Sequence, residues 1–148
     1  MEVGYFSGKI TYGNELFIRI SGYAEQELLG SPHNILRHQD MPSSVFKLLW
    51  TNIALGKEVF AYVKNRTKNN DYYWVYAHVT PSFNSNGQII GYHSVRRKPK
   101  GGAITAIEDI YRHLLSSEKS GGVNAGTKML EDILKKGGEN YDEFIFSL

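Results

Sequence analysis

Three strand-like runs, separated only by short turn sequences, constrain the fold of this chain more than any other feature. The runs are Glu58 to Asn65, Tyr72 to Pro81 and Gln88 to Arg97. Between them lie Asn69-Asn70-Asp71 and Asn84-Ser85-Asn86-Gly87, which have the composition of hairpin turns. Because hairpins join neighbouring antiparallel strands, these residues predict a three-stranded antiparallel meander.

Shorter segments precede the meander. Lys9 to Tyr12 predicts one more strand, which ends in a turn at Gly13-Asn14. Apolar residues at helical spacing then predict three helices, at about Leu16–Ile20, Ala24–Leu29 and Met41–Leu55. We therefore expect an α+β fold in which an antiparallel sheet carries short helices on one face.

The net charge of the chain changes sign at Lys98–Gly102, a stretch of charged residues and helix breakers. Residues 1–100 carry a net charge of +5 and residues 101–148 a net charge of −3. We place the main domain at 1–100 and a C-terminal helical extension with a tail at 101–148. An apolar stripe from Ile104 to Leu115 predicts a helix that packs on the sheet, on a second copy of the chain or on a receptor.

The extension divides further. A helix break is predicted at Ser120-Gly121-Gly122, and a second amphipathic stretch follows at Met129–Leu134. The short tail Tyr141–Phe146 is acidic and apolar, so we expect it to dock on the domain or on a partner.

The chain has no cysteine. This excludes disulfides, thiolate zinc sites, cysteine-ligated iron–sulfur clusters and cysteine nucleophiles, and it fits a reducing cytosol. The overall net charge of +2 gives no reason to expect nucleic-acid binding. No apolar run approaches the ~20 residues of a membrane span and no signal peptide is recognisable, so we expect no direct membrane insertion. Nineteen aromatic residues, 13% of the chain, favour a ring-lined pocket.

Several blocks together resemble the PAS domain family, and most closely the flavin-binding PAS domains of bacterial aerotaxis and energy-taxis receptors. The most specific block is Pro32-His33-Asn34-Ile35-Leu36-Arg37-His38-Gln39-Asp40-Met41-Pro42. The other blocks are Ile10-Thr11-Tyr12-Gly13-Asn14, Ile20-Ser21-Gly22-Tyr23, Glu27-Leu28-Leu29-Gly30, Val63-Lys64-Asn65-Arg66, Tyr73-Trp74-Val75 and Gly91-Tyr92-His93-Ser94-Val95-Arg96-Arg97. The likeness covers about residues 8–115.

The resemblance implies a PAS fold, with a five-stranded antiparallel sheet and an FAD held noncovalently between sheet and helices. In that branch of the family the redox state of the FAD is the signal. The resemblance also implies a first strand upstream of Gly8, where only Met1 to Ser7 remain, so we expect a truncated or shortened edge strand. The related light-oxygen-voltage domains form a flavin adduct through a cysteine near the position of His33 and Asn34, and the lack of cysteine excludes that photochemistry here.

The specific block supplies five candidate cofactor-binding residues. Arg37 and His38 precede the longest predicted helix and are expected to bind a phosphate or the flavin edge. The resemblance places His33 and Asn34 against the cofactor. Each has a structural alternative: an ion pair of Arg37 with Asp40, a solvated His38, a capping role for Asn34, and Asp40 as the N-cap of the helix.

Four further candidates lie outside that block. Trp50 and Trp74 are expected to stack on the flavin or wall it in, with simple core packing as the alternative. Asn65 could present its amide to the polar edge of the ring, or be a turn residue. Asn14, in the first matching block, is included with the site. The basic run Arg96–Lys100 is expected to be a solvated strand end.

The leading hypothesis is a cytoplasmic redox or oxygen sensor that binds FAD in a PAS domain and signals to a chemotaxis-type receptor. A homodimer is compatible with it. Two alternatives remain open: a haem-binding gas sensor that uses one of the five histidines, and a cofactor-free interaction module. We expect neither enzyme activity nor a metal site, because no substrate-activating or metal-binding arrangement can be assigned.

Overall fold

A computed structural model describes residues 1–137, 144, 145 and 148 of the chain. Its centre is a five-stranded sheet in which every pairing is antiparallel and the strand order is β2-β1-β5-β4-β3. The strands are β1 (Glu2–Phe6), β2 (Lys9–Gly13), β3 (Val59–Arg66), β4 (Tyr72–Phe83) and β5 (Ile89–Arg97). The predicted meander is β3-β4-β5, and the predicted α+β class is confirmed.

The first strand has five residues and lies inside the sheet, contrary to the expectation of a shortened edge strand. Glu2–Phe6 pairs with β2 on one side and with β5 on the other, so β1 lies inside the sheet. A tight turn makes this possible, because Ser7 and Gly8 both have positive φ, 51° and 76°. That combination matches the twist of the strands that such a turn joins.

The helices on one face of the sheet are short, and particular residues mark where they begin and end. They are α1 (Glu15–Ser21), α2 (Glu25–Leu28), a 3₁₀ helix (His33–Leu36) and α3 (Ser43–Ala54). Asn14 is the N-cap of α1: its side chain accepts a hydrogen bond from Phe17 N at 3.0 Å, while Gly22 ends the helix with a φ of 77°. The residue before α3 is Pro42, which offers no side-chain cap.

The helical extension contacts both the other face of the sheet and α3. It is α4 (Gly101–Gly137), and its apolar stripe is buried at Ile107, Tyr111 and Leu114. The ring of Tyr111 lies 6.1 Å from that of Trp74 on β4. Of the three surfaces that the sequence leaves open for this stripe, the described residues use the chain's own sheet.

Gly122 divides α4 into two arms, 101–121 and 123–137. Its φ of 76° and ψ of −172° are not helical, and they fall within the predicted break. Side chains from both arms line one groove, among them Asp109, Ser117, Ala125 and Asp132, so the second arm runs back along the first. We call this pair of arms the α4 hairpin.

Segments outside the sheet contact both of its edges. At the β2 edge, Ile10 N donates to Ser31 O at 2.9 Å and Ile10 O accepts from Gly30 N at 2.8 Å. At the β3 edge, Tyr62 O accepts from Tyr111 Oη at 2.7 Å. These contacts satisfy backbone groups that an edge strand otherwise presents to solvent or to another strand.

The tail contributes to the core where it is described. Ile145 is buried with residues of α3, β3 and α4, and Phe144 and Leu148 pack against the same cluster. The rest of the predicted docking segment Tyr141–Phe146 lies outside the described residues. None of the described helices combines the length and the apolar character that a membrane span requires.

Candidate functional site

A cavity lies between the inner face of the sheet and the helices α3 and His33–Leu36. It is narrow and partly open to solvent. Half of its lining residues are aliphatic, and they come mainly from alternate residues of β3 and β4 and from one face of α3. These residues are Leu36, Leu49, Ile53, Val59, Ala61, Val63, Ala77 and Val79.

The cavity has small side chains on its sheet side and rings on its helix side. On the sheet side, Ala61 and Ala77 are directly paired across β3 and β4, so two methyl groups form part of the floor. On the helix side, the rings of His33 and Trp50 lie 4.9 Å apart, and Tyr5 meets His33 edge-on at 5.9 Å. Small residues facing a cluster of rings leave a slot that can take a planar aromatic group.

One end of the cavity is polar and centred on Arg96. Its Nη2 donates to Tyr5 Oη, and its Nε donates to Ser94 Oγ at 3.2 Å. The Asn65 amide is oriented so that both of its groups are paired. The Asn65 oxygen accepts from Arg96 Nη1 at 2.9 Å, and the Asn65 nitrogen donates to Leu36 O at 3.3 Å. This end therefore presents a guanidinium and an amide that neutral partners hold in place.

Arg37 provides a second cation on the cavity wall. Its Nη2 donates to Ser43 Oγ at 3.0 Å, and its guanidinium lies 4.4 Å from the centre of the Phe46 ring. Burial lowers the pKa of Arg37, and the negative charge of Glu118 acts in the opposite direction. The alternative of an Arg37–Asp40 ion pair is not observed, because the carboxylate of Asp40 pairs with Lys64 Nζ at 2.8 Å.

The electrostatics of the cavity favour a ligand with negative or hydrogen-bond-accepting groups. Arg37 and Arg96 both line it, and no carboxylate does among the described residues. The pKa of His33 is lowered, mainly by burial and further by the charges of Arg37 and Arg96. His33 is therefore held in its neutral form beside two cations.

Four of the nine predicted site residues meet at this cavity: His33, Arg37, Trp50 and Asn65. Trp74 does not, because it lies on the outer face of β4 and contacts Tyr111 of α4. Residues alternate between faces along a strand, and the parity of β3 and β4 turns Asn65 inward and Trp74 outward.

The other four predicted residues have structural surroundings outside the cavity lining. Asn14 caps α1 and also accepts from Glu2 N at 3.2 Å, and Asn34 is exposed. His38 is buried and its Nδ1 accepts from the backbone N–H of Asp40 at 3.0 Å. Burial is the main cause that lowers the pKa of His38, whereas the hydrogen bond from Lys64 lowers the pKa of Asp40.

The structure adds to the site three polar residues that are not among the candidates from the sequence. Tyr5 belongs to the strand that was expected to be shortened, and Ser94 and Arg96 belong to the last strand of the meander. The expectation that the Arg96–Lys100 run is a solvated strand end is wrong for Arg96, which points inward. Strand alternation was the available signal, since Ser94 and Arg96 share a face on which Ser94 is fully buried.

An antiparallel sheet with short helices on one face and a cavity between them defines a class of protein, the α+β domain with a central cavity. The description "PAS fold" belongs to the family model that matches residues 10–96, which is more than half of the chain. The chain therefore belongs to the PAS family, and the resemblance seen in the sequence is confirmed.

Two curated relatives are similar to this chain. The aerotaxis receptor of Escherichia coli strain K12 is 40% identical over 117 residues, which is 79% of this chain and 23% of the receptor. The nitrogen fixation regulatory protein of Klebsiella pneumoniae is 25% identical over 88 residues, which is 60% of this chain and 18% of that protein. The chain thus spans less than a quarter of the length of either relative.

Solved structures with the same fold include light-oxygen-voltage domains. The light-state structure of the blue-light photoreceptor Aureochrome1 LOV has a TM-score of 0.62 and 18% identity, over 80% of this chain and 90% of that one. A light-oxygen-voltage domain studied with a flavin analogue has a TM-score of 0.62 and 18% identity, over 80% of this chain and 86% of that one. At this identity the likeness establishes the fold alone.

Proposed function

We propose that this PAS domain binds FAD noncovalently and senses redox state or oxygen through it. The observation that carries the proposal is the slot between the paired alanines and the rings of His33 and Trp50, with Arg96 and Asn65 at one end. A tricyclic isoalloxazine needs such a flat apolar slot together with donors and acceptors at its polar edge. The 40% identity to an aerotaxis receptor supports the same choice.

Different residues of this chain would bind different parts of such a cofactor. Trp50 and His33 would cover a ring face, while Asn65 and Arg96 would bind the polar edge. Arg37 would bind a phosphate, because a guanidinium is suited to phosphate oxygens. Bound flavin supplies reversible oxidation and reduction, and the cysteine-free chain offers no thiol for an adduct.

A sensor of this kind passes its state to another protein. We propose a chemotaxis-type transducer as the partner, with the chain acting as a non-enzymatic cytoplasmic signalling module that can form a homodimer. The proposal is supported by the name and identity of the aerotaxis receptor. The α4 hairpin, which packs on both the sheet and α3, is the element that we expect to transmit the change.

A visible absorption spectrum of the purified protein, recorded before and after addition of FAD and gel filtration, tests the cofactor. Retained flavin bands that bleach with dithionite and return with air are expected. A Soret band would instead identify a haem-binding PAS domain, and a colourless protein that retains no FAD would identify a cofactor-free module. FMN added in parallel tests the choice of FAD.

Arg37→Ala refines this test. We expect FAD affinity to fall about 10- to 100-fold, as for loss of a hydrogen bond between charged groups worth about 1.5–3 kcal/mol. Riboflavin, which lacks the phosphate, should lose much less. Arg19→Ala removes an exposed arginine from α1 and is the matched control. An unchanged FAD affinity of Arg37→Ala would remove Arg37 from the site.

A further inference from the structure

The N-terminus of α3 is capped by a side chain from the α4 hairpin. Glu118 Oε1 accepts from Ser43 N at 2.9 Å, and Glu118 Oε2 accepts from Ser44 Oγ at 2.9 Å and from Ser44 N at 3.4 Å. Pro42, at the N-cap position itself, has no side chain that could do this. A carboxylate at this position interacts favourably with the unpaired N–H groups of the first turn and with the helix dipole.

The second arm of the hairpin closes over this contact at Gly126. A Cβ at that position would lie 2.6 Å from Glu118 Cγ and 2.9 Å from Ser44 Oγ. Gly126 is buried, and only a glycine allows the second arm to approach so closely. Glu118 is therefore held between α3 and the second arm, and the three segments form one junction.

Ser43 connects this junction to the cavity. Its backbone N–H donates to Glu118, and its Oγ accepts from Arg37 Nη2 at 3.0 Å. Arg37 and the Phe46 ring beneath its guanidinium both line the cavity. The opposite charges of Arg37 and Glu118 thus meet at one residue, and Glu118 acts electrostatically on Arg37.

We propose that Glu118 is a latch that holds the α4 hairpin on the domain, and that Arg37 sets the strength of this latch according to what occupies the cavity. An anion that binds Arg37 draws the guanidinium from Ser43 and places negative charge near Glu118. Both effects weaken the latch. Because coupling between two sites is reciprocal, the Glu118 charge also weakens binding of the anion. When the anion is the phosphate of FAD, this inference rests on the proposed function.

The latch can be tested without any ligand. Hydrogen exchange of second-arm amides is compared among the wild type, Glu118→Gln, Arg37→Ala and the double variant. Glu118→Gln should accelerate exchange about 2- to 30-fold, the range for loss of a helix cap. In the Arg37→Ala background this acceleration should be smaller, because the two residues belong to one network. Equal effects in both backgrounds would overturn the inference.

Two further variants serve as a control and as a substitute in this comparison. Glu131→Gln makes the same chemical change at an exposed position of the second arm and should leave exchange as in the wild type. Ser44→Ala removes one donor to Glu118 and keeps the charge. If Glu118→Gln lowered the far-ultraviolet circular dichroism of the whole protein, the same cycle would be run with Ser44→Ala and Arg37→Ala, with additivity again as the overturning result.

Flavin binding gives the second readout. Glu118→Gln should bind FAD about threefold or more tightly than the wild type, whereas its affinity for uncharged riboflavin should be unchanged. Saturating FAD should also accelerate exchange of the second arm in the wild type. An equal effect on both flavins, or none, would overturn the coupling to the cavity. If the wild type bound neither flavin, the proposed function would fail, and the ligand-free cycle would still decide whether Arg37 controls the latch.

Discussion

Arg96 is the residue whose surroundings define the chemistry of the cavity. Its guanidinium is held by Tyr5, Ser94 and Asn65, all of them neutral partners. Burial raises the pKa of Tyr5 even though Arg96 acts to lower it, so the phenol stays protonated. The positive charge is therefore not neutralised by these partners and can stabilise an electron-rich edge of a bound ring.

His33 makes stability depend on pH. Its pKa lies below the ordinary 6.5, so as pH falls through that value the unfolded chain takes up a proton that folded His33 does not. The free energy of unfolding should fall between about pH 7.5 and about pH 5.5, a range that spans the ordinary histidine pKa. Urea unfolding at both pH values should show a smaller fall for His33→Gln.

Burial also lowers the pKa of His38, so His33→Gln should reduce the fall without abolishing it. An identical fall for the wild type and His33→Gln would show that His33 is not responsible for it.

At the scale of single residues, the sequence indicates which residue types are needed but not which way each side chain points. Trp50 and Trp74 were equal candidates, and only the register of β3 against β4 places Trp74 outside. Arg37 and Asn65 were found because the family block and a strand end drew attention to them. Arg96 was missed because a basic run at a strand end resembles a solvated one.

At the scale of elements, the α4 hairpin depends on close packing at its turn. Its first arm covers Trp74 and the β3 edge through Tyr111, and its second arm reaches the start of α3. The amphipathic stripe and the glycine break predicted two helical pieces. The sequence could not show that they fold back on each other and cap α3, because a contact between Glu118 and Ser43 leaves no local pattern.

Gly126→Ala should undock the second arm. The added Cβ would lie 2.6 Å from Glu118 Cγ, so we expect a loss of about 1–3 kcal/mol in the free energy of unfolding, as for overpacking of a tight site. Gly102→Ala, where nothing lies within 4 Å of the added carbon, should be neutral or slightly stabilising. Urea unfolding measures both, and equal values would contradict the tight junction.

At the scale of the whole molecule, the proposed division near Lys100 separates two segments that share one core. The buried α4 residues Ile107 and Leu114 belong to the same apolar cluster as Val63 and Val75 of the sheet. The division into a PAS domain at 1–100 and an extension at 101–148 is thus a proposal that describes the sequence. The opposite net charges of the two segments favour contact between them.

A chain ending at Lys100 should be less stable than the full chain by several kcal/mol. It loses the buried side chains of α4, and full burial of one aliphatic side chain contributes about 1.5–3 kcal/mol. Thermal and urea unfolding compare the two lengths, with flavin retention as a check that the cavity persists. Equal stability would show that residues 101–148 are an independent appendage.

The covered sheet edges restrict how copies of this protein can associate. Addition of a strand from another chain, the route to swapped dimers and cross-β aggregates, needs an edge strand whose backbone N–H and C=O groups are unpaired. Here the 30–33 segment occupies the β2 side and Tyr111 and Met41 occupy part of the β3 side. Strand addition is therefore hindered at these positions. Because Tyr111 belongs to α4, any event that undocks that helix also uncovers a strand able to recruit another chain.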